Sequence, residues 1–416
     1  MSSNNEQTHN KDSSKLISAL RSTLNHLAEN SYPHVPGPEG CNRRASVALV
    51  VRVRPHYKHW PSETSQPTSI DQYFQQDWVQ HGDPEVLFIK RAARVGDRWT
   101  SHVALPGGKR DPEDEDDKAV AIRETSEEIG LDLTSPDALF VGNLPERVVK
   151  TSWGKVPIMV LCPFVFLWTQ PDLPPLKLQP TEVASTHWVP LRVLLSPSAR
   201  TYEYVDVSDR FAGTGVVRRT LVRSILGQMR FSAIRLIPSE SLYCSSTAEF
   251  FPLDPLEEKL PLGTRLYNWC RGDHTRSAES TRPLLLWGLT LGMLADFLDQ
   301  LPPHNAVQIW SYPTFTSPDV RWIINILTRS LKQRNAARLQ SGGMNQTAMD
   351  SETEAVATGD IQEGAKNAKR PYAVGVMLEG YYDMLRRGVW IAASVRMIAA
   401  VAITVQVVRR YRGYRS

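Results

Sequence analysis

The chain has 416 residues, of which 41% are hydrophobic and 22% are charged. This composition is typical of a globular protein, and it excludes collagen-like, wholly disordered and polytopic membrane proteins. The formal net charge of +4 is too small to indicate a protein that binds nucleic acid.

The N-terminal residues are polar and lack the apolar core of a secretory signal peptide, so we expect a protein that is not secreted. Four cysteines lie far apart without a metal-binding spacing, which favours reduced thiols in a cytosol-facing protein. A short helical pattern follows at Leu16, Leu20, Leu24 and Leu27. The proline- and glycine-rich residues 33–40 end it, and we expect residues 1–40 to form a flexible segment.

Runs rich in apolar and β-branched residues predict strands in the next part of the chain. These runs are Ser46–Val53, Glu85–Arg91, Leu139–Gly142, Val156–Leu167 and His187–Leu191. Between the second and the third of them, the pattern over Asp116–Ile129 predicts a helix that ends at Gly130, a residue typical of helix C-caps. We therefore expect an α/β domain over residues 41–301.

The later part of this domain is less regular. Residues 192–282 mix short apolar runs with turn residues, which indicates a long insertion. From Pro283 to Leu301 the sequence is strongly helical and apolar. Asp296 and Asp299 interrupt this run, so we favour a core helix over a membrane span.

Two further segments lead to the C-terminal tail. Residues 302–333 are expected to be a helical extension, because Asp319–Leu331 has an amphipathic helical pattern. Residues 334–370 lack aromatic residues and large apolar clusters, and this composition is typical of a disordered linker.

Residues 371–416 form a basic and apolar tail. At about 1.5 Å per residue, Val389–Val408 is long enough to cross a hydrocarbon core of roughly 30 Å. Arginines on both sides of it resemble those of tail anchors in mitochondrial outer, peroxisomal and endoplasmic reticulum membranes. Arg396 within the run opposes a span. We expect membrane attachment through this tail, with an interfacial helix and a buried core helix as alternatives.

Residues 105–131 hold the densest cluster of functional residue types. Gly107 and Gly108 permit a tight turn and a close backbone approach to a ligand. The predicted helix after this turn carries three glutamates on one face, at helical spacing: Glu124, Glu127 and Glu128. Arg123 precedes Glu127 by one helical turn and can hold its carboxylate in place.

These glutamates predict a metal site. Three neighbouring carboxylates repel one another unless they bind a hard cation, and Mg²⁺ or Mn²⁺ prefers such oxygens. The metal would polarise a phosphoryl group and activate a bound water for attack on phosphorus. The alternative is a solvated acidic helix with ion pairs one turn apart. That alternative does not explain why the glycine turn, the Arg-Glu pair and the final glycine occur together at these separations.

The segment resembles the Nudix box, in which a glycine, an Arg-Glu pair, a Glu-Glu pair and a final glycine recur at fixed spacing. The matching residues are Gly108, Arg123, Glu124, Glu127, Glu128, Gly130 and Leu131. Asp114 occupies the position of the family's first glutamate, the stretch before Arg123 is one residue longer, and Thr125 occupies an apolar position. The longer spacing and the acidic start are similar to the coenzyme A diphosphatase branch of the Nudix hydrolases.

The resemblance implies a mixed sheet between helices and an enzyme that cleaves the diphosphate bond of a nucleoside diphosphate linked to another group. Coenzyme A or an acyl-coenzyme A is the leading substrate, and Mg²⁺ or Mn²⁺ is the implied cofactor. The implied catalytic residues are Arg123, Glu124 and Glu127, and the implied metal ligands are Glu124, Glu127 and Glu128. The residues expected to bind substrate are Arg91, Gly107, Gly108 and Lys109.

Other functions stay as alternatives. A Nudix enzyme with the same residues could act on ADP-ribose or damaged nucleotides. A non-catalytic Nudix-fold module could bind a nucleotide or a protein at a membrane. The oligomeric state is not predicted.

Four residues near the box have two interpretations each. Glu182 follows a Pro-Thr turn and is either a further carboxylate ligand or base, or a surface carboxylate. His102 either contacts phosphate or packs at a sheet edge, and we favour packing. Trp188 and Trp287 are expected to be core aromatics rather than a stacking platform for a base.

Overall fold

A computed structural model describes residues 2–63, 65–93, 100–151, 156–208, 216–245, 283–302, 304, 310–340 and 373–413. Within these ranges the chain forms two β-sheets with helices packed against them. The strands are β1 (Arg44–Arg54), β2 (Asp83–Arg91), β3 (Val103–Ala104), β4 (Gly107–Lys109), β5 (Ala138–Asn143), β6 (Arg147–Thr151), β7 (Val156–Trp168), β8 (Val183–Pro190), β9 (Arg200–Val205), β10 (Met229–Arg235), β11 (Glu240–Tyr243), β12 (Leu285–Trp287) and β13 (Thr314–Phe315). The helices are α1 (Ser2–Glu29), α2 (Ile70–Phe74), α3 (Asp77–Gln80), α4 (Asp117–Ile129), α5 (Leu191–Leu195), α6 (Val216–Leu226), α7 (Gly288–Asp299), α8 (Pro318–Gln340), α9 (Ala373–Leu378) and α10 (Tyr381–Gly413).

The larger sheet contains nine strands within the described ranges. Its main path runs β11-β8-β2-β1-β7-β5, and the short strands β3, β4 and β6 pair with β2, β1 and β7. β1 and β7 are parallel, with Val47 opposite Pro163, whereas β2 runs antiparallel to β1. The sheet is therefore mixed, and the predicted α/β fold with a mixed sheet is confirmed.

β1 is a continuous apolar run because both of its faces are covered. Alternate side chains of a strand point to opposite faces, and Leu49 and Val51 join the core cluster that contains residues of α1 and α7. Ala48 and Val50 join the cluster that contains residues of α4. The sheet thus lies between helices, and α4 is held on the face opposite α1.

All five predicted strands are present, as β1, β2, β5, β7 and β8. The last of them begins earlier than the predicted start at His187, because Val183 and Ala184 are also buried in the sheet. It ends at Pro190, which lacks the backbone N–H that would continue the ladder and which instead precedes α5.

The N-terminal residues differ from the predicted flexible segment over 1–40. They form α1, and its buried side chains are Ile17, Leu20, Leu24 and Leu27. After this helix, the backbone N–H of Tyr32 donates to Asn143 Oδ1 at 2.8 Å, and Asn143 Nδ2 donates to the Tyr32 carbonyl at 3.0 Å. The leucine stripe forms a packed helix because the sheet supplies the apolar surface that an isolated helix lacks.

Part of the predicted insertion over residues 192–282 builds the second sheet. Within the described residues its path is β12-β10-β13, and β9 pairs with β10. Ile234 and Leu236 pack in the same core cluster as α1 and the main sheet. This part of the insertion therefore shares the core of the domain, while residues 246–282 lie outside the described residues.

The helix predicted from Pro283 begins later than expected. The first apolar residues of this run form β12 beside β10, and α7 starts at Gly288, whose φ of 67° favours glycine. Residues 290–298 are all buried, as expected for a core helix. Asp296 is buried with them because Arg147 donates to its carboxylate.

The predicted linker over residues 334–370 begins too early. α8 continues to Gln340, and its buried Asn335 side chain donates to the carbonyls of Met377 and Glu379 at 3.0 and 3.1 Å. Because these bonds hold the end of α8 beside α9, the helical extension is longer than the sequence predicts. The rest of the predicted linker, from residue 341 on, lies outside the described residues.

We expect Leu24→Ala to lower the free energy of unfolding by about 2–5 kcal/mol, because Leu24 is fully buried in the main core. Chemical denaturation of the full chain measures this change. Ser18→Ala, on the exposed side of α1, is the matched control and should change the free energy by less than about 0.5 kcal/mol. Equally small changes in both variants would show that α1 is not part of the cooperative core.

Candidate active site

α4 carries most of the predicted site residues, and local sequence fixes both of its ends. Asp116 Oδ1 accepts a hydrogen bond from the backbone N–H of Ala119 at 2.7 Å and so caps the first turn. Gly130 ends the helix at a φ of 72°, and a side chain there would press on the backbone of Lys177. The helix predicted over Asp116–Ile129 is confirmed, with Asp116 as its cap.

The three glutamates predicted on one face of α4 are divided by the structure. Glu128 is buried together with Thr125, whose Oγ1 donates to the Ala121 carbonyl at 2.6 Å. That bond satisfies the hydroxyl group in an apolar position. Glu124 is partly buried, whereas the Glu127 side chain is 57% exposed. Only Glu124 and Glu128 therefore face the interior side of the helix.

Arg123 is the centre of an ion-pair network. Nε and Nη2 donate to the two carboxylate oxygens of Asp114 at 2.9 and 3.0 Å. Nη1 donates to Glu124 Oε1 at 3.1 Å and to Glu127 Oε2 at 3.0 Å, and Nη2 also donates to the Lys109 carbonyl at 3.1 Å. The hydrogen bonds between Arg123 and Asp114 raise the pKa of the guanidinium and lower the pKa of the Asp114 carboxyl.

The glycine turn lies directly against two of the glutamates. The backbone N–H of Gly107 donates to Glu128 Oε2 at 2.9 Å. Gly107 has a φ of 149°, and a Cβ atom there would collide with the backbone of β1. A Cβ atom at Gly108 would overlap the carboxylate of Glu124. Both positions therefore require glycine, and the turn brings Glu124 and Glu128 to one place.

Burial dominates the electrostatics of these two acids. It raises the pKa of the Glu128 carboxyl to about 8, and negative charge on Glu124 and Glu182 adds to this effect. The Gly107 N–H and the charge of Arg91 act in the opposite direction. Burial also raises the pKa of Glu124. The mutual repulsion of these acids thus adds to the burial that favours their protonated forms.

Glu182 lies just before β8, at the side of the site. Its backbone carbonyl accepts a hydrogen bond from the Ala92 N–H at 2.8 Å, next to Arg91 at the end of β2. Its charge raises the pKa of both Glu124 and Glu128, which favours the interpretation of Glu182 as a further ligand or base. In the sequence, the feature that marks Glu182 as a candidate is its position after a Pro-Thr turn and before a strand.

Sequence reasoning missed the role of Asp114. In the sequence, Asp114 is visible only as a departure from the Nudix box, and that departure is the signal that marks the position. The structure shows that this shorter acid binds Arg123 through both oxygens, with only 6% of its side chain exposed. Asp114 therefore positions Arg123.

The remaining predicted substrate-binding residues lie at strand ends around the turn. Arg91 ends β2, and its charge lowers the pKa of Glu128. Lys109 ends β4, and its exposed side chain lies outside the network that its carbonyl joins. The structure therefore brings Arg91, Gly107 and Gly108 to the buried glutamates and places Lys109 at the rim.

His102 and Trp188 pack as expected, whereas Trp287 is half-buried beside His102 and outside the core. The His102 ring meets the Trp287 ring edge-on, with the ring centres 4.8 Å apart. Trp188 is buried in the core, and the Arg52 guanidinium lies 4.1 Å from its ring centre. These contacts account for the three side chains by packing.

The carboxylates near the glycine turn have the chemistry that a divalent cation requires. Glu124, Glu128 and Glu182 concentrate oxygen ligands and negative charge, and Mg²⁺ or Mn²⁺ prefers such a set. Glu127 contacts Arg123 instead. Neither the three predicted ligands nor the set of Glu124, Glu128 and Glu182 has its oxygens all within 4.8 Å of one another. Within the described residues, two other groups of three do: His59, Asp77 and His81, and His34, Asp117 and Glu146.

Residues 78–207 match the family model of the NUDIX domain. The matched range contains β2, the glycine turn, α4 and Glu182, and it therefore holds the whole site described above. It ends at residue 207, so the start of the predicted insertion, residues 192–207, belongs to the matched domain.

Three relatives illustrate the similarity. An uncharacterised protein of Schizosaccharomyces pombe is 33% identical over 306 residues, which are 71% of this chain and 78% of that protein. The mitochondrial coenzyme A diphosphatase NUDT8 of Mus musculus is 44% identical over 52 residues, 12% of this chain and 25% of NUDT8. The Nudix hydrolase NudL of Photorhabdus laumondii is 35% identical over 127 residues, 30% of this chain and 61% of NudL. The match thus spans less than two thirds of each relative that carries the family name.

We expect Glu128→Gln to weaken the pH dependence of the stability of the metal-free protein. The folded-state pKa of about 8 lies above the value of about 4.3 for an unfolded chain. Between these values only the folded state keeps the proton, so the free energy of unfolding falls as the pH rises. At about pH 9 the free energy of unfolding of the variant should therefore exceed that of the wild type by on the order of a few kcal/mol.

Denaturation with a chelator present, at acidic and at alkaline pH, measures this difference. Glu127→Gln is the matched control, because the Glu127 side chain is largely exposed. It should keep the wild-type pH dependence. An equal fall in stability for the wild type and Glu128→Gln would contradict the buried position of Glu128.

Proposed function

This chain belongs to the Nudix hydrolase family, and from that premise we propose that it is a Mg²⁺- or Mn²⁺-dependent diphosphatase. Family membership makes it a pyrophosphohydrolase, an enzyme that hydrolyses a phosphoric anhydride bond. We propose a nucleoside diphosphate linked to another group as the substrate, with coenzyme A or an acyl-coenzyme A first. The position of Glu124 and Glu128 at the glycine turn, with Glu182 close enough to raise their pKa values, carries the proposal.

The proposed mechanism assigns different tasks to the acids and the arginine. Glu124, Glu127 and Glu128 would hold the cation, which when bound would supply positive charge to polarise the phosphoryl group and acidify water. Glu127 would join this set by exchanging its contact with Arg123. Glu124, beside the turn, accepts a proton from the attacking water. Arg123 is a positioning residue, because Asp114 holds it while it orients Glu124.

Substrate binding is assigned to the residues around the turn. Gly107 and Gly108 allow the diphosphate to approach the backbone, since neither position carries a side chain. Arg91 contributes a guanidinium close to Glu128, where it can donate to phosphate oxygens. Lys109 at the rim adds a second cation that attracts the nucleotide.

The choice of substrate rests on weaker support than the reaction. The mouse relative is a coenzyme A diphosphatase by name, but its match covers 52 residues. ADP-ribose and damaged nucleotides are therefore kept as alternatives. A non-catalytic module that binds a nucleotide or a protein is the second candidate function. The presence of Arg123 together with Glu124, Glu127 and Glu128 favours the enzyme, because a binding module does not require them.

We expect the full chain to hydrolyse coenzyme A or an acyl-coenzyme A when Mg²⁺ or Mn²⁺ is added, and not when a chelator replaces the metal. Glu124→Gln should lower kcat by about 10²–10⁴-fold, because it removes the proposed base. Chromatography of the nucleotide products measures turnover, with ADP-ribose and oxidised nucleotides as further substrates.

Glu115→Gln is the matched control for this experiment. Glu115 is exposed and lies just before α4, so its loss should leave turnover unchanged. If none of the substrates is hydrolysed, or if Glu124→Gln is as active as the wild type, the enzymatic proposal fails.

We further propose that α10 attaches the domain to a membrane with the active site on the cytosolic side. Within the described residues, Val374–Gly413 is the one helical stretch that is long and apolar enough to cross a bilayer. Only 6% of its most apolar 18-residue stretch is buried, which argues against the alternative of a core helix. Mitochondrial outer, peroxisomal and endoplasmic reticulum membranes are the proposed sites, and an interfacial helix is the alternative.

We expect a chain that stops after Arg396 to be released by alkaline carbonate, while the full chain stays with the membrane. This boundary keeps the buried residues Tyr381, Leu385, Val389 and Ala392, so the catalytic domain should stay folded and active. Sedimentation after extraction measures the distribution, and hydrolysis measures folding. Full chain found in the soluble fraction would contradict the attachment.

A further inference from the structure

α10 has two segments with different surroundings. Along the first segment a single face packs on α8: Leu331 lies near Gly380 just before α10, Ile324 lies near Gly388, and Asp319 pairs with Arg396. This order of contacts makes the two helices antiparallel. α8 begins one residue before Asp319, so the second segment of α10 extends beyond it, and every residue from Met397 to Gly413 is exposed.

The exposed segment is apolar on all sides. Met397–Val408 contains no charged residue, and Thr404 and Gln406 are its only strongly polar ones. Its exposed large apolar side chains are Met397, Ile398, Val401, Ile403, Val405, Val407 and Val408. A helix that lies in the plane of a membrane surface needs a charged face opposite its apolar face. This helix lacks such a face, which argues against an interfacial position.

The exposed segment alone is too short to cross a bilayer. Its 12 or so residues span roughly 18 Å, compared with about 30 Å for the hydrocarbon core. If only these residues were inserted, Arg409, Arg410 and Arg412 would lie near the bilayer centre. Each arginine there costs about 2.5–3.5 kcal/mol on insertion scales. The bilayer must therefore extend further back along α10, past Arg396.

Aromatic side chains mark how far it extends. Trp390 on α10 and Trp322 on α8 are 68% and 67% exposed. Trp390 lies two residues after Gly388, and Trp322 lies two residues before Ile324, which Gly388 contacts. Because the helices are antiparallel, both steps run in the same direction, and the two tryptophans lie at one level. Tyr411, 64% exposed, lies about 21 residues or roughly 31 Å beyond Trp390. Tryptophan and tyrosine are enriched at the two membrane interfaces, and this separation matches them.

Arg396 lies inside these limits with its charge already compensated. Nε and Nη2 donate to the two carboxylate oxygens of Asp319 at 2.6 and 2.5 Å, and Nη1 donates to the Ile225 carbonyl at 2.5 Å. Long side chains on a helix point towards its N-terminus, which here is the level of the tryptophans. A paired guanidinium near the interface costs less than an isolated one at the centre.

We propose that α10 crosses a lipid bilayer from the level of Trp322 and Trp390 to Tyr411, and that Asp319 of α8 neutralises Arg396 within it. This inference rests on the membrane attachment proposed above, and it adds the limits of the span and the residue that makes Arg396 tolerable there. The first turn of α8 thereby belongs to the membrane-facing surface. The arginines that follow Val408 lie at the opposite interface.

The full chain, synthesised with vesicles of phosphatidylcholine and phosphatidylserine, tests the role of Asp319. Asp319→Asn leaves Arg396 without its partner, so the ratio of carbonate-resistant to released protein should fall roughly tenfold. Asp319→Asn combined with Arg396→Leu should restore the ratio, because no charge is left to compensate. Asp383→Asn is the matched control: it removes the partner of Arg386 ahead of the span and should leave the ratio unchanged.

A peptide tag after Ser416 tests the crossing itself. In sealed vesicles an external protease should leave the tag intact, and detergent should expose it. A tag that is digested without detergent would overturn the span in favour of a surface helix. Wild-type protein recovered as a soluble dimer would overturn it too, because the apolar helix would then be covered by a second copy of the chain.

Hydrolysis by the detergent-solubilised full chain separates the two proposals. If the wild-type chain hydrolyses no substrate but resists carbonate and keeps its tag protected from protease, the enzymatic function is overturned and the span is supported. If the chain resists carbonate but Asp319→Asn does not change the ratio of resistant to released protein, this inference is overturned and the proposed membrane attachment stands. Release of the wild type by carbonate would overturn both the attachment and the span.

Discussion

The two-oxygen contact between Arg123 and Asp114 is the interaction on which the active site depends. A guanidinium has a planar fork of donors, so the bond to both Asp114 oxygens fixes its orientation. Its remaining donors then point at Glu124, Glu127 and the carbonyl of Lys109. One side chain therefore links the glycine turn to α4. Without it, the acids of α4 would repel one another and the turn would lose one of its hydrogen-bonded links to the helix.

The rest of the fold makes this arrangement rigid. Gly107 lies opposite Val47 on β1, the central strand whose two faces are both covered. The turn therefore cannot move without disturbing the main sheet, and α4 packs on that sheet beside it. α1, α7 and the second sheet enlarge the same core, although none of them supplies a predicted catalytic residue. Their contribution is to the rigidity of the sheet, because they pack on the face opposite α4.

Features encoded by neighbouring residues could be predicted from the sequence, and features that depend on distant partners could not. Asp116 and Gly130 mark the two ends of α4 through their own capping chemistry, so the limits of this helix could be predicted almost to the residue. The helical period alone placed three glutamates on one face, but Arg123 draws Glu127 outwards while the Gly107 N–H holds Glu128 inside. The leucine stripe of α1 appeared flexible because the sheet that covers it is formed much later in the chain. Asp319 could not be matched with Arg396, since nothing local relates residues on different helices.

The same pairing of arginine with aspartate has different consequences at the active site and on α10. At the active site Asp114 pairs with Arg123, and Glu124, Glu128 and Glu182 bring further acids to the neighbourhood of the glycine turn. A divalent cation is a partner that such a group of acids favours. At the base of α10, Asp319 and Arg396 cancel each other, and what remains around them is Trp322, Trp390 and the apolar helix. A neutral pair surrounded by apolar and aromatic side chains favours lipid, because exposing such a surface to water is unfavourable in free energy. The acids beyond the first pair thus support the proposed metal and phosphate site, and the second pair, which leaves no net charge, supports the proposed contact with a bilayer.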